Sequence, residues 1–171
     1  MNHLALDEVE IANRPGALNS VRKPLSAALG TTAFAMVYFE LEPVEGFAPA
    51  LHTHHDVEEV FYVLEGTPTF VVGKDRERIE VREGEVIRFA PGEFQRGVND
   101  SDARVVSLIF SAPGAAHDNE ELEYFFECRN CGEERSHHVE PVESGSWQAE
   151  AVDWRSTCMD CGNSFTTDSF G

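Results

Sequence analysis

Residues 46–66, GFAPALHTHHDVEEVFYVLEG, constrain the fold of this chain more than any other stretch, and they follow the pattern G-x5-H-x-H-x4-E-x6-G. His52 and His54 are two residues apart, so on an extended strand both side chains point to the same face. After a short polar turn, Glu59 begins a run of strand-forming residues that ends at Gly66. Two imidazoles and one carboxylate converging on a point form a donor set for a divalent transition metal with open coordination positions.

The surrounding sequence predicts an all-β architecture. Short runs rich in Val, Ile and Phe are separated by Gly, Pro, Asn and Asp, a spacing typical of a sandwich or barrel. The predicted strands are 34–42, 59–66, 69–73, 78–81, 85–90 and 104–110, with a hairpin turn near 73–77. A short helix is expected from Pro24 to Gly30, because proline is tolerated in a first helical turn.

Apolar residues on these strands predict the interior of the barrel, where aromatic and branched side chains are expected to pack. The predicted lining residues are Phe61, Val63, Phe70, Ile87, Phe89 and Phe94. Arg88 and Arg96 lie close by in sequence, and in so acidic a chain we expect each to form a surface ion pair. Contact with an anionic substrate is the alternative for both arginines.

Four cysteines lie near the end of the chain as two C-x2-C pairs, each followed by glycine. They are Cys128 and Cys131, then Cys158 and Cys161. Each pair is a knuckle that directs two thiolates at one ion, and two knuckles give a closed tetrahedral site, which is typical of structural zinc. Disulfides and a redox dithiol are the alternatives, but a reducing cytoplasm disfavours disulfides, and a single redox pair would not need an identical partner. His137 and His138 lie between the knuckles and are expected to be exposed.

The 46–66 pattern closely resembles the first motif of the cupin superfamily. Residues 84–99, GEVIRFAPGEFQRGVN, are similar to the second cupin motif, but Ala90 replaces the usual proline and Gln95 stands at the position of the last histidine ligand. The resemblance implies a double-stranded β-helix, or jelly-roll barrel, with a metal held by His52, His54 and Glu59.

The roles of two residues near this site stay open. Gln95 is expected to be a fourth, weaker ligand, or else a hydrogen-bonding partner of a metal-bound water. Glu58 is a competing carboxylate, but the family spacing favours Glu59. The cysteine pairs resemble a zinc ribbon or rubredoxin-like module appended to the barrel. The expected metals are iron, manganese, nickel or zinc in the barrel, and zinc in the ribbon.

Charge limits the partners of this chain. It has 31 acidic and 13 basic residues and a formal net charge of -18. No basic patch is visible, which argues against binding to nucleic acid. Such an excess of acid suits a salt-rich cytoplasm, so a halophilic source is expected, with an ordinary acidic cytosolic protein as the alternative. With no apolar run of transmembrane length and no leader-like N-terminus, we expect a cytoplasmic protein without a membrane partner.

The predicted domain organisation is an N-terminal arm (1–33), a cupin barrel (34–110), an acidic linker (111–123) and a zinc-ribbon-like module (124–171). By resemblance to cupins, the chain is expected to form a homodimer through residues 1–40. A cupin barrel followed by a four-cysteine site is also similar in layout to bacterial 3-hydroxyanthranilate 3,4-dioxygenases, although the ligand pattern differs.

Three functions fit these observations. The first is a non-haem, metal-dependent oxygenase, of dioxygenase type, acting on a small cyclic or phenolic metabolite. The second is a non-catalytic module that senses a small molecule while the ribbon docks a partner protein. The third is a metal-dependent sugar isomerase or epimerase, which the lack of an obvious acid–base pair beyond the ligands disfavours.

Overall fold

A computed structural model describes residues 1–13, 18–114, 121–142 and 153–167. Parts of the predicted linker and ribbon, at 115–120, 143–152 and 168–171, lie outside the described residues. A 3₁₀ turn spans Leu6–Glu8, and one short helix, α1, spans Leu25–Leu29. The strands within these ranges are β1 (Val21–Pro24), β2 (Ala35–Leu41), β3 (Leu51–His54), β4 (Glu58–Glu65), β5 (Thr69–Val72), β6 (Glu77–Glu80), β7 (Val86–Phe89), β8 (Gln95–Val98), β9 (Val105–Ala112), β10 (Leu122–Cys128), β11 (Glu133–Pro141), β12 (Trp154–Cys158) and β13 (Ser164–Thr167).

The strands form two antiparallel sheets. The first has five strands in the order β1-β2-β9-β4-β7, and the second has eight in the order β13-β12-β11-β10-β3-β8-β5-β6. Strands far apart in sequence, such as β2 and β9, are neighbours in the first sheet. This arrangement confirms the predicted all-β jelly-roll architecture. Among the described residues, no helix is long and apolar enough to cross a membrane.

The core lies between the sheets and is rich in aromatic rings. Phe61, Val63, Phe70 and Phe89 belong to the main buried cluster, and Ile87 packs against it, as predicted. Phe61 and Phe70 meet edge to face with ring centroids 4.9 Å apart. The barrel interior is therefore filled by side chains near its middle.

Phe94 corrects one prediction about the lining. Its ring contacts Phe125 at 6.2 Å, and the ammonium group of Lys74 lies 4.4 Å from its centroid. Successive side chains of an extended segment point to opposite faces, and Gln95 points inward. Phe94 consequently packs on the outer face of the eight-stranded sheet.

Gly97 on β8 allows two aromatic rings to pack closely against the backbone. A Cβ atom at this position would lie 2.5 Å from Cδ2 of Phe47 and 2.7 Å from Cε1 of Phe70. We expect Gly97→Ala to lower the free energy of unfolding by about 1–3 kcal/mol, measured by urea denaturation, because it overpacks the core. Arg96→Ala, on the opposite face of the same strand, is the control. Unchanged stability of Gly97→Ala would contradict this packing argument.

The C-terminal strands continue the barrel sheet directly. Strand β10 pairs with β3 from Leu122↔His54 to Phe125↔Leu51, and β11, β12 and β13 follow in turn. The predicted acidic linker (111–123) thus includes the end of β9 and the start of β10. The ribbon is built onto the barrel because β3 offers β10 a full set of backbone hydrogen-bonding groups. A second buried cluster of Leu122, Tyr124, Val139 and Trp154 lies here.

Candidate metal centres

Strands β3 and β4 bring three predicted ligands together. One ligand atom from each of His52, His54 and Glu59 lies within 4.8 Å of the other two, and all three residues are buried. His52 and His54 face the interior because they are two residues apart on β3. Glu58, the competing carboxylate, accepts a 2.5 Å hydrogen bond from Nε of Arg88 on the exposed side of the sheet. Alternation along β4 therefore directs Glu59 inward and Glu58 outward, and gives Arg88 the expected surface ion pair.

The orientation of His52 suits a metal ligand. Its Nδ1 lies 3.1 Å from the carbonyl oxygen of Ala50, so that nitrogen carries the proton and donates it to the backbone. Its Nε2 lies 3.1 Å from Nε2 of Gln95, which donates to it. The lone pair of His52 Nε2 thus points toward Glu59 and Gln95. A backbone partner that fixes the tautomer of a histidine is a common feature of metal sites.

Burial keeps both imidazoles neutral near pH 7. Desolvation lowers the pKa of His52 to about 4, and the neighbouring His54 acts in the same direction. Desolvation also lowers the pKa of His54 to about 4. Since a metal binds the unprotonated nitrogen, both rings are ready to act as ligands.

Glu59 is a buried carboxylate with neutral neighbours. It accepts a 2.8 Å hydrogen bond from Nε2 of Gln95, and its Oε1 lies 3.7 Å from Nε2 of His54. That second contact would be an ion pair only if His54 were protonated, which its low pKa prevents near neutrality. A buried carboxylate without a positive partner is costly, so this donor set fits a divalent cation.

The side chain of Gln95 reaches the centre formed by His52, His54 and Glu59. It is directly opposite His52 in the β3–β8 pairing, and its amide nitrogen bonds to both His52 and Glu59. Its buried Oε1 has no hydrogen-bond partner among the described residues. A half-turn of the amide would exchange its nitrogen and oxygen and direct Oε1 to the point that His52 and Glu59 face. The amide therefore fits the role of a fourth, weaker oxygen ligand.

A small cavity opens onto this centre. Its lining includes His54, Glu59, Phe89 and Glu93. The enclosed space holds about one water molecule, so only the end of a small molecule would reach the centre through it. Glu93 was not among the predicted site residues. Its position in the PGEFQ loop, two residues before Gln95, was the available signal.

The second candidate centre is the cysteine cluster. Its four sulfur atoms lie within 4.8 Å of one another, and all four residues are free thiols. In both knuckles the glycine N–H donates to the carbonyl of the first cysteine, at 2.8 Å for Gly132 and 3.0 Å for Gly162. Both glycines have positive φ, of 72° and 70°, which explains why glycine follows each pair. The geometry is compatible with a four-thiolate metal site.

Hydrogen bonds separate the pKa values of the two more accessible thiols. The backbone N–H of Asn163 is the largest influence on Cys161, whose pKa falls to about 6. Hydrogen bonding to Cys161 raises the pKa of Cys131 to about 12. The cluster thus favours one thiolate even before a cation is considered, and thiolates are the form that binds metal.

His137 departs from the prediction of an exposed residue. It is 1% exposed, and its ring stacks on Phe126 with centroids 3.9 Å apart. Its Nδ1 lies 2.9 Å from the carbonyl oxygen of Arg135, and burial lowers its pKa. His138 faces the opposite side of β11 and is partly exposed. The prediction missed this because the His137 ring packs against Phe126 of the neighbouring strand β10, a contact that only the strand pairing creates.

The family model for the cupin domain matches residues 37–111, which include His52, His54, Glu59 and Gln95. Together with the two-sheet barrel, that match decides the assignment. Residues 37–111 are a cupin domain. This confirms the family resemblance of the two motifs.

Known relatives of the cupin domain extend the comparison. An uncharacterised protein of Methanocaldococcus jannaschii is 30% identical over 77 residues, which are 45% of this chain and 60% of that protein's length. A cupin-superfamily sugar phosphate isomerase from Silicibacter pomeroyi has a TM-score of 0.69 at 21% identity, covering 99% of this chain and 100% of its own. The polyketide cyclase RemF of Streptomyces resistomycificus has a TM-score of 0.61 at 23% identity, covering 75% and 88%. At these identities the solved structures show a shared fold.

The histidines of the cupin domain should make the metal-free protein sensitive to acid. Their folded pKa values of about 4 lie below the ordinary 6.5, so the unfolded chain binds more protons between these values. Stability should therefore be highest above pH 6.5 and fall as the pH drops toward 4. We expect a loss on the order of 2 kcal/mol per imidazole between pH 7 and pH 5, measured by urea unfolding.

Two variants control that measurement. His52→Ala/His54→Ala should remove most of the pH dependence, whereas His138→Ala should keep it, since His138 is partly exposed. An equal pH dependence in the double variant and the wild type would show that other groups cause the acid sensitivity.

Proposed function

We propose that this protein is a metal-dependent cupin enzyme that oxygenates a small cyclic or phenolic metabolite. In this proposal His52, His54 and Glu59 hold a divalent transition metal in the barrel, with Gln95 as a fourth ligand. The observation that carries it is the buried Glu59 carboxylate between two neutral imidazoles, since a divalent cation supplies the missing positive charge. Iron, manganese, nickel and zinc all suit these donors.

The residues around the centre define how a substrate would approach. A bound metal would supply Lewis-acid chemistry and, in the case of iron, activation of dioxygen. The aromatic cluster closes the middle of the barrel, so a substrate enters from the cavity beside Phe89 and Glu93. The small enclosed space of this cavity favours a substrate that presents a narrow polar end to the centre.

The cysteine cluster is proposed to hold a structural zinc ion. Four thiolates leave no coordination position open for a substrate, which suits a structural role. The described part of the ribbon buries only a small apolar cluster, so a metal would contribute much of its stability.

A second candidate function, sugar isomerisation, is favoured by Glu93. Isomerases transfer protons, and Glu93 provides a carboxylate at the cavity that is not one of the proposed ligands. Its Oε2 accepts a 2.7 Å hydrogen bond from the Ala90 N–H, which holds the side chain at the cavity wall. The Silicibacter pomeroyi isomerase shares the overall fold at low identity, so Glu93 is the stronger argument.

Metal content and oxygen uptake test the proposal together. Mass spectrometry of the purified protein should find about two metal ions per chain, falling to about one zinc in His52→Ala/His54→Ala. After iron reconstitution, the wild type should consume oxygen with a member of a panel of catechols and aminophenols, and the double variant should not.

The remaining outcomes separate the alternatives. Metal in the barrel with conversion of an aldose phosphate and no oxygen uptake would favour the isomerase, and Glu93→Gln should then abolish turnover. A barrel that stays free of metal after reconstitution would overturn both enzyme proposals, leaving a non-catalytic small-molecule sensor whose ribbon docks a partner protein.

A further inference from the structure

One row of residues crosses the eight-stranded sheet from the cupin centre to the cysteine cluster. Gln95 lies opposite His52, His52 opposite Tyr124, Tyr124 opposite His137, and His137 opposite Cys158. Neighbouring strands are about 4.8 Å apart, so the three steps from His52 to Cys158 cover roughly 15 Å. Residues opposite each other in neighbouring strands share a face of the sheet, so the row connects the two candidate centres on the buried face.

Tyr124 contacts the cupin centre directly. It is 4% exposed, and its ring lies 5.3 Å from the ring of His52, centroid to centroid, with 30° between the planes. The opposite side of His52 is held by Gln95 and its Nδ1 by Ala50. The tyrosine ring therefore completes the set of contacts that fix the imidazole plane.

The ribbon end of the row is equally well packed. His137 stacks on Phe126, which is on the same strand as Tyr124 and faces the same side. Cys128 ends β10, and Cys158 ends β12. The cysteine cluster therefore ties together the ends of the two strands that flank β11.

We propose that Tyr124 is a positioning residue for His52, and that metal at the cysteine cluster holds Tyr124 in place through β10 and so strengthens metal binding in the cupin barrel. This inference rests on the proposed binding of metal at both centres. Its physical basis is the position of β10. This strand pairs with β3, which carries His52 and His54, and its last residue is Cys128 of the cysteine cluster. A constraint on the end of β10 thereby limits the movement of the strand that carries Tyr124.

The first experiment tests the positioning role with cobalt(II) as the probe. The full-length protein is loaded with zinc at the cysteine cluster, and cobalt is titrated into the barrel against a competing chelator. Tyr124→Ala should weaken cobalt binding by about 10–100-fold and change the visible absorption bands of cobalt in the barrel. Tyr124→Phe, which keeps the ring, should restore both.

Phe125→Ala is the matched control for that experiment. Phe125 is the next residue on β10, and its ring packs on the outer face against Phe94 and Lys74. Its loss should weaken the strand but leave cobalt affinity within about twofold of the wild type. If Tyr124→Ala and Phe125→Ala lowered the cobalt affinity equally, Tyr124 would stabilise the strand in general, and the positioning role would be overturned.

The second experiment tests the link between the centres. Cys161 is the most exposed cysteine of the cluster, so Cys161→Ser removes a thiol with little loss of packing. In that variant the cobalt affinity of the barrel should fall by about tenfold. Coupling between two sites is reciprocal, so His52→Ala/His54→Ala should lower the zinc affinity of the cysteine cluster when both metals are supplied as for the wild type. Met159→Ser, at an exposed position beside Cys158, is the control.

The outcomes distinguish this inference from the proposed function. Cobalt binding in the barrel that is unchanged by Cys161→Ser would overturn the link while leaving metal binding intact. A wild-type barrel that binds no cobalt would overturn metal binding and the link together.

Discussion

Replacing Glu59 with glutamine should weaken metal binding in the cupin barrel by more than about 100-fold and yet stabilise the metal-free protein. The side chain is buried, and its neighbours His54 and Gln95 are neutral near pH 7. Removing an uncompensated buried charge should raise the free energy of unfolding of the metal-free protein by about 1–4 kcal/mol. Urea unfolding with and without metal measures both effects on one protein.

Glu58→Gln is the matched control, because it makes the same chemical change at the neighbouring residue. Glu58 is adjacent, but its carboxylate pairs with Arg88 on the exposed side. A surface pair of this kind contributes about 0–1 kcal/mol, so neither metal affinity nor stability should change much. If Glu59→Gln destabilised the metal-free protein as well, Glu59 would have a structural role that does not depend on a cation.

Replacing Cys158 with serine should have the largest effect on stability of any change in the ribbon. Structural zinc contributes about 10–16 kcal/mol of apparent binding free energy in small zinc modules, and loss of one thiolate should remove a large part of it. We expect β11, β12 and β13 to become sensitive to protease. Limited proteolysis with mass spectrometry would locate the cuts, and zinc release would be measured with a chromogenic chelator.

Met159→Ser is again the matched control, because Met159 follows Cys158 in the same turn and is 60% exposed. It should retain zinc and resist protease as the wild type does. Treatment of the wild type with a strong chelator should reproduce the cut pattern of Cys158→Ser. A Cys158→Ser protein that resists protease would show that packing around Trp154 and Val139 is sufficient for this part of the fold.

The parts of the fold predicted from sequence are those with local signals. Their apolar character on a predicted strand identified Phe61 and Val63 as interior residues, and the spacing of His52, His54 and Glu59 correctly indicated that they come together. The cysteine pairs likewise came together as their spacing indicated.

The parts that escaped prediction depend on which strand lies beside which. Strand β10 begins in an acidic stretch that has the composition of a linker, and only its pairing with β3 makes that stretch a strand. The same pairing places Tyr124 against His52, and the pairing of β10 with β11 places the His137 ring against Phe126. Partners in a sheet are set by the whole topology, so no window of the sequence around Tyr124 contains this information.

The pairing of β10 with β3 also has a consequence for the solubility of the barrel. Without β10, the backbone amide and carbonyl groups of Leu51–His54 on that side would form an open sheet edge next to the cupin centre. Open edges promote association between chains, and proteins commonly cover them. The ribbon is thus a permanent cover for one edge of the barrel. The two parts therefore share one sheet, which recombination at the predicted linker would divide through its middle.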